Sequence, residues 1–223
     1  MRRVLVFATM ILFFLSCHNE KKNDEFGMDS TSSQNGNGKL QRLMIYYPTD
    51  SLDKNGNKTY HEISDVQLIS QNGKPFSTSS FRGKIAVSDF FFASCRGTCP
   101  KMTSQLTRVQ NAFSKNNELE IISYTVDPDR DSANSLEEYA KRFNADTAQW
   151  KFVTGAKKKL YDLARYDYLL PVQPGKGNSE DFIHSDQIIL LDRQSRVRGY
   201  YSGTDSLAVD SLIVDIKTLL QEK

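Results

Sequence analysis

Neither charge dominates this chain: 29 lysines and arginines stand against 27 aspartates and glutamates over 223 residues. The strong basic surplus of a nucleic-acid binder is missing, and no nucleic-acid partner is expected. No internal repeat is visible. Cysteine and histidine are both scarce, at three residues each. The amino-terminal apolar run, Val4 to Leu15, is too short to cross a bilayer comfortably. What is present is an ordinary globular composition, with 39% hydrophobic and 11% aromatic residues, which excludes wholesale disorder. The length leaves room for one well-packed domain and a tail, and hardly for two.

Arg2 and Arg3 precede the apolar run, which meets Ser16 and Cys17, the pattern of a secretory signal over residues 1–16. Phe14-Leu15-Ser16-Cys17 resembles a bacterial lipobox, although Phe14 stands where an aliphatic residue is usual. Cys17 is therefore expected to carry lipid, making the product an exported, membrane-anchored lipoprotein facing the periplasm. A plain signal peptide or a weak membrane anchor is the alternative. With Cys17 lipidated, Cys95 and Cys99 remain as a pair, and an exported pair is a disulfide, a redox couple or a metal site.

Residues 17–39 are rich in Lys, Asn, Ser and Gly and read as a flexible tether. Residues 40–62 read as an irregular extension, in which Tyr46-Tyr47-Pro48 is available to pack on the domain and Asp53 to Lys58 is a turn. The domain proper spans 63–223. Gln71-Asn72-Gly73 between Asp65–Ile69 and Lys74–Phe76 signals a hairpin. Lys84 to Phe92 is apolar enough for a buried strand. Met102, Leu106, Val109 and Phe113 mark one face of a helix. Glu120 to Val126 is a strand, and a helix with a Ser-x-x-Glu cap begins at Ser135, with Leu136, Tyr139, Ala140 and Phe143 inward. Trp150–Val153 is a strand, Ala156–Tyr166 a helix, Asp186–Asp192 a strand and Arg196–Tyr201 another. Leu207, Leu212, Ile216 and Leu219 define a last helix. Strands alternating with helices, closed by a hairpin and a helix, predict an α/β thioredoxin-like fold with an N-terminal β-hairpin extension.

Cys95-Arg96-Gly97-Thr98-Cys99-Pro100 lies between a buried strand and the helix it feeds. Pro100 suits the first helical position and steers Cys99 towards the cap, where the helix dipole favours a thiolate. Thioredoxin-type oxidoreductases use Cys-x-x-Cys; here one more residue intervenes. That spacing permits a disulfide or two thiolates around one ion. A structural bridge is disfavoured at this place, because closing so short a loop constrains little.

Two thiolates are soft ligands that select Cu(I) or zinc and need a third donor. His18 falls in the tether and His61 at the domain edge, whereas His184 precedes the strongest late strand. In a thioredoxin-like fold that loop lies beside the cysteine turn and usually carries a proline, which His184 replaces. Cys-Cys-His suits three-coordinate Cu(I), while zinc wants a fourth ligand.

FFFASCRGTCPKM, YTVDPDRDS, FVTG and FIHSDQIILLDRQSRVRGYYSG, in this order, resemble the successive signatures of the Sco/SenC family. The resemblance covers about Ile63 to Leu220. It implies a membrane-tethered, thioredoxin-fold protein that binds one copper ion, as Cu(I) or Cu(II), and helps assemble the copper centre of cytochrome c oxidase. The implied ligands are Cys95, Cys99 and His184. The Asp-Pro-x-Arg-Asp segment falls on Asp127 to Asp131, and Asp127 either orients a ligand or partner or caps a turn. The expected role is a metallochaperone rather than an enzyme, with an oxidase subunit or another cuproprotein as recipient and the membrane as a second partner through the lipid anchor. The rival is a thiol–disulfide reductase in which Cys95 and Cys99 are the redox pair. A peroxiredoxin-like peroxidase and a copper sensor are further readings.

Overall fold

The computed structural model describes residues 42–170 and 185–222. Hairpin β1 (Pro48–Leu52) and β2 (Lys58–Tyr60) stands outside the main sheet. The seven-stranded sheet contains β3 (Gln67–Ser70), β4 (Pro75–Ser77), β5 (Ile85–Phe91), β6 (Leu119–Thr125), β7 (Trp150–Thr154), β8 (Gln187–Leu191) and β9 (Val197–Ser202). Its order is β4-β3-β7-β6-β5-β8-β9. Strands β5, β6 and β7 run parallel, and β3 and β8 join them antiparallel on either side. This is a thioredoxin-like α/β fold with an amino-terminal hairpin.

The centre of the sheet is explained by its sequence. Every residue of β5 and β6 is buried, as a strand covered on both faces requires. Along β5, Ile85, Val87 and Phe91 face one core, built with α1 (Thr98–Ala112), α2 (Ala133–Arg142) and α4 (Ser206–Gln221). Ala86 and Phe90 face the other, built with α3 (Lys157–Asp162), Phe81 and Tyr168. Both crossovers, β5-α1-β6 and β6-α2-β7, put their helices on the same side. The Asn-Gly turn is real: Gly73 takes φ +74° and donates its N–H to Ser70 O at 2.9 Å.

Some local expectations shift. Helix α2 starts at Ala133 with Ser132, not Ser135, as its cap; the Ser132 hydroxyl accepts the Ser135 N–H. Helix α3 is shorter than the periodicity suggested and passes into a π-turn over Leu163–Asp167. Leu207 is 73% exposed, and Val209 takes the inward place with Leu212, Ile216 and Leu219. Residues before the sheet are strapped to its far edge. The buried Arg198 guanidinium donates to Met44 O at 2.9 Å and Leu43 O at 2.7 Å, and it pairs with Asp192 and Glu222. Tyr46 N–H donates to Val197 O, and the Tyr46 and Tyr47 rings pack edge-on against Tyr200. Among the described residues no helix is long and apolar enough to cross a membrane. Cys17 and the tether lie outside them.

Candidate metal centre

Parallel strands β5 and β6 end side by side, with Phe91 opposite Thr125 and Val126 N–H donating to Phe91 O at 2.8 Å. The segments that leave the two strands therefore share one edge of the sheet. After β5 comes the cysteine turn; after β6 comes the Asp127–Asp131 segment.

The turn closes when Cys95 N–H donates to Phe92 O at 3.2 Å. Helix α1 begins at Thr98, two residues before the expected Pro100, so Pro100 is its third residue and Cys99 its second. The ring still removes no helical bond, because N–H groups of the first turn have no helical acceptor. Gly97, at the cap position, has no side chain to satisfy them. The Cys95 sulfur takes that role. Burial works against its thiolate, but the backbone N–H groups of Cys99, Gly97 and Thr98, together with the Cys99 thiol, outweigh it and hold the pKa below the ordinary thiol value.

Cys99 behaves in the opposite way. It is 6% exposed on the inner face of α1, and burial pushes its pKa up to about 12. A hydrogen bond from Phe92 N–H offsets little of this, and the neighbouring Cys95 and Asp89 oppose a further negative charge. The lowered thiol pKa expected at Cys99 thus falls at Cys95, because the helix end faces the first sulfur and the core encloses the second. The pair is asymmetric: one sulfur part-exposed and activated, the other buried. Both thiols are free and hydrogen-bonded to each other.

The surroundings fix this turn. Asp131, which no sequence motif singled out by itself, accepts the N–H of Ala93 at 3.0 Å and the Thr125 hydroxyl at 2.6 Å through one oxygen. It fastens the two strand ends together two residues before Cys95. Asp127 is buried, pairs with Arg130 Nε at 2.6 Å, and accepts the N–H groups of Arg130 and Asp131 on its carbonyl. Below Cys99, the Thr103 hydroxyl is within hydrogen-bond distance of Cys99 O at 2.9 Å and of the Tyr139 hydroxyl at 2.8 Å. Asp89, in the middle of β5, is fully buried; Ser123 donates to one oxygen at 2.5 Å and the other has no hydrogen-bond partner. Burial raises its pKa to about 7, although the Ser123 bond opposes the rise.

His184 and His18 lie outside the described residues. Strand β8 runs antiparallel to β5, pairing Ile188 with Asp89, so its first residues lie beside the end of β5 that leads into the cysteine turn. His61 is remote and engaged: its Nε2 sits 2.9 Å from Asp167 O, rather than free in solvent. Among the described residues no group of three His, Cys, Asp or Glu gathers as a metal site.

The sequence profile of the SCO1/SenC family matches residues 54–221. A SCO1/SenC family lipoprotein from Bacillus anthracis is 26% identical and superposes with a TM-score of 0.66, covering 80% of this chain and all of that one. BsSco, described as a member of the Sco family of cytochrome c oxidase assembly proteins with a disulfide switch, is 27% identical at a TM-score of 0.62, covering 73% and 95% of the two chains. ScoI of Bradyrhizobium japonicum, whose structure holds copper, shares the fold at 22% identity and a TM-score of 0.59, covering 71% and 99%.

Proposed function

The chain belongs to the SCO1/SenC family, and from that premise we propose that it captures one copper ion through Cys95, Cys99 and His184 and delivers it to the copper centre of a cytochrome c oxidase. The observation that carries this reading is the pair of free thiols at one strand-to-helix turn, mutually hydrogen-bonded, with one sulfur part-exposed. Two thiolates with an imidazole form a soft donor set suited to copper. Copper is cargo here. Cys95, already turned towards its thiolate by three N–H groups, makes the first contact. Cys99 joins it by losing a proton that its buried site otherwise retains, so capture releases protons. On delivery the part-exposed Cys95 is the ligand that a recipient's thiolate can displace first. Lipid on Cys17 and a tether over 17–39 hold the domain at a membrane, facing the periplasm, where it meets an oxidase subunit.

A second reading is supported by the same asymmetry. In a thiol–disulfide reductase, the Cys95 thiolate attacks a client disulfide, forming a mixed disulfide and releasing one client thiolate. Cys99 then attacks the Cys95 sulfur, forming the Cys95–Cys99 disulfide and releasing the second. The client is reduced by two electrons and the pair is oxidised by two.

The test is copper loading of the reduced full chain, beside His184→Ala and Cys95→Ser/Cys99→Ser. One tightly held copper per chain, lost in the double cysteine variant and weakened in His184→Ala, supports copper capture. Retention indifferent to His184, with reduction of a peptide disulfide intact, favours the reductase.

A further inference from the structure

Two consecutive backbone N–H groups at the end of β5 serve different partners. Phe92 N–H donates to the Cys99 sulfur, whereas Ala93 N–H donates to Asp131 Oδ2 at 3.0 Å. The Phe92 carbonyl accepts Cys95 N–H at 3.2 Å and closes the turn that carries the first sulfur. That carbonyl and Ala93 N–H belong to one planar trans peptide group, so they point in opposite directions and turn together. Asp131 therefore holds one end of a peptide whose other end holds Cys95.

The hold is firm at its outer end. Asp131 is buried, the same oxygen accepts the Thr125 hydroxyl at 2.6 Å, and Asp131 N–H donates to Asp127 O at 2.8 Å. Thr125 is itself fully buried as the last residue of β6. Joining the two strand ends does not require the bond to Ala93, because Val126 N–H already donates to Phe91 O at 2.8 Å. What the carboxylate adds is the direction of the peptide that follows Phe92.

We infer that Asp131 is a positioning residue for the thiol pair: by holding Ala93 N–H it aims the Phe92 carbonyl at Cys95 N–H and keeps the two sulfurs within reach of each other. This rests on the reading of Cys95 and Cys99 as the working pair under Proposed function. The two thiols are hydrogen-bonded to each other in the reduced protein. A turn held closed spares the entropy that would otherwise be lost each time the sulfurs join or share an ion. A carboxylate that served only the strand ends would leave the sulfurs indifferent to it.

The experiment equilibrates the reduced full chain with glutathione and glutathione disulfide, quenches with acid and reads the Cys95–Cys99 disulfide by mass spectrometry. Glutathione disulfide takes two electrons and two protons from the pair and leaves as two glutathione thiols, while the Cys95–Cys99 bond forms. Cu(I) affinity, by competition with a chromophoric chelator, is the second readout. The variants are Asp131→Ala, Asp131→Asn, Thr125→Val and Leu160→Ala, the last a loss of packing in the core on the other face of the sheet. Asp131→Ala is expected to lower the disulfide equilibrium constant about tenfold, which raises the midpoint by about 30 mV. It should weaken Cu(I) by about tenfold as well, the low end for losing a group that orients a metal ligand. Asp131→Asn keeps an acceptor for Ala93 N–H and the Thr125 hydroxyl, and should recover most of both losses. Thr125→Val frees the carboxylate on one side and should shift both by a smaller factor, whereas Leu160→Ala should shift neither. An unchanged equilibrium in Asp131→Ala, a shift matched by Leu160→Ala, or a loss in Asp131→Asn equal to that in Asp131→Ala overturns the assignment. Should Asp131→Ala not fold, an unshifted Thr125→Val overturns it alone. If wild type neither forms the Cys95–Cys99 disulfide nor holds copper, the working-pair reading falls and the positioning role falls with it. If wild type does both and Asp131→Ala matches it, only the positioning role fails.

Discussion

Replacing Asp89 with asparagine removes a charge that the fold has nowhere to put. The carboxyl is fully buried in the middle of β5, with the Ser123 hydroxyl on one oxygen and no hydrogen-bond partner on the other. Burial raises its pKa from 3.8 to about 7. Because the folded protein holds this proton to higher pH than the unfolded chain does, the group favours folding most at low pH. That contribution is lost as pH rises from about 4 to above 7. A shift of this size corresponds to a loss on the order of 4 kcal/mol at pH 8 relative to pH 4 or below. An asparagine side chain keeps an acceptor for Ser123 and matches the neutral acid in shape. Denaturant unfolding of the reduced apo protein should therefore show Asp89→Asn several kcal/mol more stable than wild type at pH 8, and within about 1 kcal/mol of it at pH 4. A variant no more stable than wild type at pH 8, or a gain equal at both pH values, would refute the claim that Asp89 is buried without a compensating charge.

Three further outcomes are expected from the same packing. Limited alkylation with iodoacetamide at pH 7.5, read by mass spectrometry, should mark Cys95 well before Cys99, since only Cys95 is part-exposed with a lowered pKa; equal labelling would contradict the asymmetry. Asp131→Ala leaves the Ala93 N–H and the Thr125 hydroxyl without their acceptor, and should cost about 2 kcal/mol while speeding hydrogen exchange at Ala93. Arg198→Met cuts the ties that hold Leu43 and Met44 to the sheet edge, while Asp192 keeps its pair with Arg196; a loss of about 2 kcal/mol, with earlier proteolytic cleavage near Met44, is expected in unfolding and digestion assays.

The central strands were legible because burial on both faces writes a continuous apolar run, and β5 and β6 fall within a residue or two of their expected places. The inner face of α1 was equally plain from Met102, Leu106 and Val109. Its start was not, because the acceptor for the first-turn N–H groups is the sulfur of Cys95, and no capping rule includes a thiolate three residues upstream. Hairpin β1–β2 was hidden by its polarity: lying outside the main sheet, it carries no apolar alternation. The thiol pair was visible as a motif, but which sulfur is activated depends on the direction of the helix end and the depth of Cys99. Asp131 gains its importance from a partner 38 residues away, which spacing along one chain does not reveal.

The most direct test of copper capture at this turn is X-ray absorption at the copper edge of the loaded full chain, compared with His184→Ala. Two sulfur neighbours and one imidazole nitrogen are expected around a single copper, with the imidazole scattering lost in the variant. A copper bound only by oxygen and nitrogen, or an identical spectrum without His184, would contradict the three-ligand site.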